Sequence, residues 1–330
     1  MSFTVYVALH QFQSRFFKVS SVKAYTLTRR YTLRQLDIFL VLARELSVSR
    51  AAEKLYVTQP AVSMQMKQLE EAVGLPLFEQ TGRRMRLTDA GQDFERYAHA
   101  AMAQFRELDD AMAQRLGMQK GKIELAVVST AKYFVPMLLV RFRQKFPAIE
   151  VVLHIHNREA ITNMLARNEV DLVIMGRAPA KVECCATPFA TNPMGIVSAP
   201  EHPLSRRRRA PISILRDQQF VVREKGSGTR NSMERLFEDH GISPPIVMEM
   251  PSNETIKQAV MAGMGLSFLS LRTVRHELAS GHLTLLDLEG LPLTRHWHVT
   301  HLASKRLSPA AGAFKAFLIE EAGALVNLWA

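Results

Sequence analysis

Three helical repeats separated by very short connections occupy residues 33–73, and this spacing constrains the fold more than any other feature of the chain. Leu36, Phe39, Leu40 and Ala43 recur at helical spacing and predict a first helix over about 33–46. Ser49 reads as the N-cap of a short second helix carrying Ala51, Ala52 and Leu55. Only Tyr56 and Val57 separate it from Thr58, which reads as the cap of a third helix, Gln59–Val73. Pro60 lies in the first turn, where a missing N–H costs nothing. Val62, Met66, Leu69 and Val73 share one face, and Gln59, Ser63, Lys67 and Glu70 the opposite one. So tight a turn between two short helices forces them to cross steeply, as in a helix-turn-helix. Leu77–Phe78, a Thr81–Gly82 turn and Met85–Leu87 then predict a hairpin with Arg83, Arg84 and Arg86 at its tip and return strand, the wing of a winged helix-turn-helix.

Thr88 caps a long helix to about Leu116. Its apolar residues Phe94, Ala98, Ala101, Phe105, Leu108 and Met112 are spaced 4, 3, 4, 3 and 4 apart, a heptad seam. One helix of three heptads cannot bury that seam, so the pattern predicts a homodimer. Gly117–Gly121 breaks the helix. From Ile123 onward strands and helices alternate. Strands are expected at 123–128, 150–155, 171–175, 195–199, 219–223, 246–250 and 266–269, with helices at 131–145, 158–168, 229–240, 253–263 and 271–280. Such alternation predicts parallel sheets covered by helices, in two lobes.

Charge adds a qualification. The chain of 330 residues carries a net +11, which suits a polyanionic partner. Yet residues 32–91 hold eight basic and seven acidic residues, only +1. Recognition there must rest on a few placed side chains. Residues 1–31 hold five basic residues and no acid. They read as an N-terminal extension, a transit-peptide composition being the alternative. No apolar run reaches the ~18 residues of a membrane span. The two cysteines, Cys184 and Cys185, are adjacent, which suits neither a disulfide nor a metal site and predicts a cytoplasmic protein. The strand-like alternation of His296, His298 and His301 places two at most on one face, so no metal is expected. Arg206–Arg209 reads as a solvated loop. No nucleophile elbow, HExxH or Walker loop occurs, so an enzyme is not expected.

The segments SRAAEKL, TQPAVS, QLEE, GLPLFE and RLTDAG, in this order within residues 32–91, resemble the LysR-type transcriptional regulators. Downstream, PMLLVRFRQKFPAIEVVL, LVIMG and GMGLSFLSLRTVRHELASGHL fit the same family's effector-binding half, so the likeness spans all but the first 31 residues. Within the family, REKGSGTR and TQPAVSMQMKQLEEAVGLPLFEQTGRR are most similar to regulators of the RuBisCO (Calvin-cycle) operon.

The resemblance implies an α/β protein: a winged helix-turn-helix over 32–88, a dimerising linker helix over 89–117, and a periplasmic-binding-protein-like effector domain over 122–330. Its lobe I would take about 122–190 and 268–330, and lobe II 191–267. The expected activity is activation of a RuBisCO operon, with a different metabolic operon as the alternative, and an enzyme with an autoregulatory DNA-binding domain as the alternative of another class. The partners are promoter DNA, a second copy or a tetramer, and RNA polymerase.

On DNA, Gln59 can read an adenine edge, and Pro60 and Met64 can meet a thymine methyl. Ser63 and Lys67 can reach base or phosphate, while Thr58, Arg34 and Ser49 position the backbone. Arg83 and Arg84 would enter the minor groove or clamp the backbone. In the effector half, strand ends and helix starts suggest Ser129, Thr130, Asn157, the run Gly226, Ser227, Gly228, Thr229 and Arg230, and Ser252 and Asn253. These would hold a phosphorylated or carboxylated metabolite, or NADPH, with no bound cofactor.

Overall fold

The computed structural model describes residues 31–82, 84–115 and 121–328. They form two compact units that divide between Ala98 and His99. The extension over 1–30, the wing residue Arg83 and the break at 117–120 lie outside the described residues.

The first unit is built from helices α1 (Leu33–Glu45), α2 (Val48–Leu55) and α3 (Gln59–Val73) and the hairpin β1 (Phe78–Thr81) and β2 (Arg84–Leu87). Its core holds Ile38, Phe39, Leu42, Ala43, Ala51, Val62, Met66 and Leu69, closed by Leu77; the expected face of α1 is rotated, because Ile38 and Leu42 are buried while the expected Leu36 and Leu40 are only partly so. One expectation is corrected. The second helix is capped by Ser47, whose hydroxyl accepts from the Arg50 N–H; Ser49 lies inside the helix and is exposed. The reason is local: Leu46 takes a left-handed conformation (φ 48°) and stops α1 at Glu45, two residues before the new cap.

Helix α4 (Asp89–Arg115) starts from a tightly bonded corner. The Thr88 hydroxyl donates to Pro76 O at 2.7 Å and accepts from the Gly91 N–H at 2.9 Å, while the Thr88 N–H bonds Leu77 O at 3.0 Å. A Cβ on Gly91 would sit 2.0 Å from that same carbonyl oxygen. Gly91→Ala is therefore expected to destabilise the first unit by about 3 kcal/mol, since backbone rather than a flexible side chain would have to yield. Thermal denaturation of full-length protein checks this, and an unchanged melting temperature would refute it.

The seam expected on α4 is divided. Phe94 packs edge-on to Phe39 (centroids 4.9 Å apart) and against Tyr31, and Ala98 is buried with them, so both belong to the chain's own core. Ala101 is partly buried. Phe105, Leu108 and Met112 remain 44%, 51% and 45% exposed, a large apolar stripe left open to water.

The second unit holds a seven-stranded sheet. Its strands are β3 (Gly121–Val128), β4 (Ile149–His156), β5 (Leu172–Met175), β6 (Cys184–Ser198), β9 (Ser267–Ser270), β10 (Thr284–Leu285) and β11 (Leu293–Leu302). Their order is β10-β6-β11-β5-β3-β4, with β9 on β6. β3 runs parallel to β4 and β5, but β11, β6, β9 and β10 pair antiparallel, so the parallel-sheet expectation is corrected. Helices α5 (Val135–Lys145), α6 (Arg158–Ala166), α10 (Pro309–Phe317) and α11 (Gly323–Leu328) belong to lobe I, where Leu138, Phe142, Ile161, Phe314 and Val326 join one core with Ile123, Leu125, Val173 and Trp297.

Lobe II adds the parallel pair β7 (Phe220–Arg223) and β8 (Ile246–Met250), with α7 (Gly228–Asp239), α8 (Asn253–Met261) and α9 (Arg275–Ala279). Its two apolar clusters reach Leu283, Leu286 and Leu288, so the boundary expected at 267/268 lies some twenty residues later. The long strands β6 and β11 cross from one lobe to the other side by side, and their register shifts between Trp297 and His298. Among the described residues, no helix is long and apolar enough to cross a membrane.

Candidate functional site: a DNA-reading helix and an arginine-lined cleft

The amino end of α3 is an open polar surface. Thr58 caps it by accepting from the Ala61 N–H, and Gly74 ends it at φ 82°. Gln59, Pro60, Ser63, Met64 and Lys67 are exposed on one side of this buried-core helix, with Met64 at 53%. An exposed apolar side chain amid polar ones suits contact with a thymine methyl. Arg84 on the hairpin is exposed, whereas Arg86 is tied to its cross-strand partner Glu79 at 2.7 Å. Arg34 pairs with Asp37 at 3.1 Å on the surface, a contact weak enough for a phosphate to displace.

Glu70 does not share that surface. It is partly buried, and Oε1 accepts from the N–H groups of Leu77 (2.7 Å) and Phe78 (3.1 Å), so it pins the start of the wing to the recognition helix. Glu70→Ala is expected to cost about 1–3 kcal/mol and to weaken DNA binding, with faster amide exchange at 77 and 78 as its signature. Unchanged exchange there would refute the role.

In the second unit a cleft opens between the lobes. Its lining includes Ser129, Thr130 and Asn157 from lobe I and Ser227, Gly228 and Thr229 from lobe II. It also includes five arginines, Arg158, Arg177, Arg223, Arg235 and Arg295, and, among the described residues, no aspartate or glutamate. Three of these arginines are engaged within the protein. Arg158 donates to the carbonyls of Arg177 and Ala178. Arg223 is buried and spans Glu224, Asn253 and Ser129. Arg295 donates to Ser232 Oγ at 2.5 Å. Burial first, and then the guanidiniums of Arg177, Arg235 and Arg158, push Arg295 below the ordinary arginine range. Burial and Arg177 do the same to Arg158. The cleft thus concentrates positive charge with no acid on its wall, which favours an anion.

Several expected residues lie elsewhere. Arg230 points away from the cleft: it is buried, pairs with Glu234 at 2.5 Å and Glu249 at 3.6 Å, and donates to Arg223 O. The phase of α7 explains this. Gly228, Asn231, Ser232 and Arg235, at i, i+3, i+4 and i+7, face the cleft, and residue 230 falls on the far side. Gly226 is a packing residue: its φ is 83°, its carbonyl accepts from the Glu159 N–H at 3.2 Å, and a Cβ would meet the Glu159 carboxylate at 2.4 Å. Ser252 and Asn253 do not line the cleft; Ser252 caps α8 and Asn253 bonds Arg223. Asn157 lines it while capping α6 through the Ala160 N–H. Sequence reading missed Arg158, Arg177, Arg223, Arg235 and Arg295. The i, i+3, i+4, i+7 polar stripe of α7 was the signal available for Arg235; the other four come from separate segments with no shared pattern.

A winged helix-turn-helix joined by a long helix to a two-lobed, anion-favouring cleft defines a ligand-responsive transcriptional regulator. Residues 33–92 match the family model described as bacterial regulatory helix-turn-helix protein, lysR family, and residues 117–323 match the LysR substrate binding domain. The chain belongs to the LysR family of transcriptional regulators and is not an enzyme.

It is 48% identical over 286 residues to the HTH-type transcriptional regulator CbbR of Rhodospirillum rubrum, covering 87% of this chain and 95% of that one. It is 44% identical over 291 residues to the RuBisCO operon transcriptional regulator of Allochromatium vinosum, covering 88% and 96%. Among solved structures, the regulatory domain of CcmR from Synechocystis PCC6803 in complex with 2-PG is 42% identical, with a TM-score of 0.59, covering 61% of this chain and 96% of that one. A full-length OxyR variant from Pseudomonas aeruginosa, 22% identical with a TM-score of 0.68 over 88% of this chain and 95% of that one, shares the fold.

Proposed function

We propose that this regulator controls a RuBisCO operon in response to a small phosphorylated carboxylic acid bound in the cleft. The observation that carries the reading is the cleft lining: five arginines and several hydroxyls, with no acid. Guanidinium forks match phosphate and carboxylate oxygens in pairs. The identity to RuBisCO-operon regulators and to a domain solved with 2-PG supports the same ligand class.

On DNA, the protein binds as a dimer or a dimer of dimers, through Phe105, Leu108 and Met112, on an interrupted inverted repeat. Helix α3 enters the major groove with Gln59 on an adenine and Pro60 and Met64 beside a thymine methyl. Ser63 and Lys67 reach base edge or phosphate, Arg34, Ser49 and Thr58 lie against the backbone, and the wing arginines Arg83 and Arg84 take the minor groove. Gln59→Ala is expected to relax specificity at one base pair by about 1–3 kcal/mol, measured by competition binding across single-base operator variants. Equal losses on every variant would refute base reading by Gln59. The protein acts in the cytoplasm, with RNA polymerase as its downstream partner.

Calorimetric titration of full-length protein with 2-PG, phosphoenolpyruvate, ribulose bisphosphate, NADPH and ATP tests the ligand class. Saturable binding of a small phosphorylated acid supports the reading. Binding of none of the phosphorylated compounds overturns it.

A further inference from the structure

Beside the cleft, and outside its lining, a polar cluster joins the two lobes. Tyr133 ends the short 3-10 turn (Ala131–Tyr133) that follows the cleft-lining residues Ser129 and Thr130 in lobe I. Its hydroxyl donates to Glu254 Oε1, in the first turn of α8 in lobe II. Glu254 also pairs with Lys257 at 2.8 Å, and Lys257 pairs at 2.8 Å with Glu277 of α9. The Lys257 ammonium is buried and lies 5.3 Å from the Tyr133 ring centroid.

A second strand of contacts runs alongside. Cleft-lining Arg223 donates to Ser129 Oγ at 3.0 Å across the lobes and to Asn253 at 2.7 Å, next to Glu254. The ligand-facing turn of lobe I and the start of α8 are therefore held by two parallel links.

The cluster's charges fit a donor role for the tyrosine. Burial first, then the Glu254 carboxylate, raise the Tyr133 hydroxyl far above its usual range, so it keeps its proton. Burial opposes the charge on Lys257, but Glu254 and Glu277 outweigh it and raise the ammonium. The Asn253 side chain also bonds the Tyr133 hydroxyl, and Glu277 Oε2 is buried without a partner among the described residues.

We propose that Tyr133 is a positioning residue for the effector response: its bond to Glu254 latches the lobes in the arrangement that the ligand binds. The inference rests on the cleft being the effector site. A ligand for one arrangement binds more weakly in proportion as that arrangement is depopulated. Tyr133→Phe removes the hydroxyl and keeps the ring over Lys257, so the core stays filled.

The test uses full-length protein, with 2-PG as probe and amide exchange as a second readout that needs no ligand. Tyr133→Phe is expected to weaken 2-PG binding about tenfold, within the range for a lost hydrogen bond to a charged group. It is also expected to speed exchange at 253–257 on the opposite lobe while cooperative melting is retained. Glu254→Ala should reproduce both effects and add little to Tyr133→Phe. Glu254→Gln, which keeps an oxygen acceptor, should restore most of the affinity. Unchanged affinity and unchanged exchange at 253–257 in Tyr133→Phe would overturn the latch, as would full additivity of the two substitutions. If wild-type protein takes up no 2-PG, the cleft reading fails, and exchange at 253–257 decides the latch alone.

Discussion

Arg295→Met is expected to lower affinity for 2-PG by roughly 10–150-fold, the equivalent of about 1.5–3 kcal/mol for a lost charge-assisted hydrogen bond. Arg295 emerges from β11 at the point where that strand crosses between the lobes, two residues before the register shift at Trp297. Its neighbours are Arg177, Arg235 and Arg158, all cationic, so the free protein gains no ion pair from them. Its partner Ser232 keeps a second bond, donating to Gly228 O at 2.8 Å. Methionine retains the stem and removes only the charged fork. The free protein should therefore melt at or slightly above the wild-type temperature while ligand binding collapses. A parallel fall in both would show that Arg295 serves the fold and not the ligand. Added salt should weaken wild-type binding more than that of the variant, because screening acts on the charge the variant lacks.

Leu108→Glu is expected to convert the protein to a monomer and to reduce operator affinity by on the order of 10²–10⁴-fold, the loss of linking two half-site readers. Leu108 is 51% exposed within one chain, so glutamate costs the isolated helix little. Across a twofold seam, however, two added carboxylates would face one another where two leucines had met. Sedimentation should show one monomeric species, and gel shifts should show only weak binding of half-sites. A variant that remains dimeric would move the dimer contact elsewhere, away from the stripe of Phe105, Leu108 and Met112.

The DNA-binding unit is legible in the sequence because its information is local. Helix period, cap residues, a two-residue turn and a Gly-containing hairpin all lie within sixty consecutive positions. The departures there are of one kind: a side chain with two possible uses. Ser47 and Ser49 could both cap, and backbone geometry at Leu46 selects Ser47. Phe94 fits a heptad, yet Phe39 and Tyr31 are close enough to claim it.

The cleft is less legible because it is assembled from segments more than a hundred residues apart. The hydroxyl and glycine turns can be found from strand-end logic, and of the residues it names Ser129, Thr130, Asn157, Ser227, Gly228 and Thr229 line the wall. The arginines cannot, except through the phase of α7. The same phase excludes Arg230. The long strand β6 is visible in the pattern only from residue 195, because Pro188 and Pro193 interrupt it while its pairing with β11 tolerates them.

The most direct test of the central claim is a nuclease footprint of the full-length protein on promoter DNA of a RuBisCO operon, run with and without 2-PG. The expected result is a protected, interrupted inverted repeat whose extent changes when 2-PG is added, a change that Arg295→Met loses while keeping the ligand-free footprint. A promoter left unprotected, or a footprint that 2-PG alters equally in wild type and Arg295→Met, would contradict a regulator that reads DNA with α3 and its metabolite with the arginine cleft.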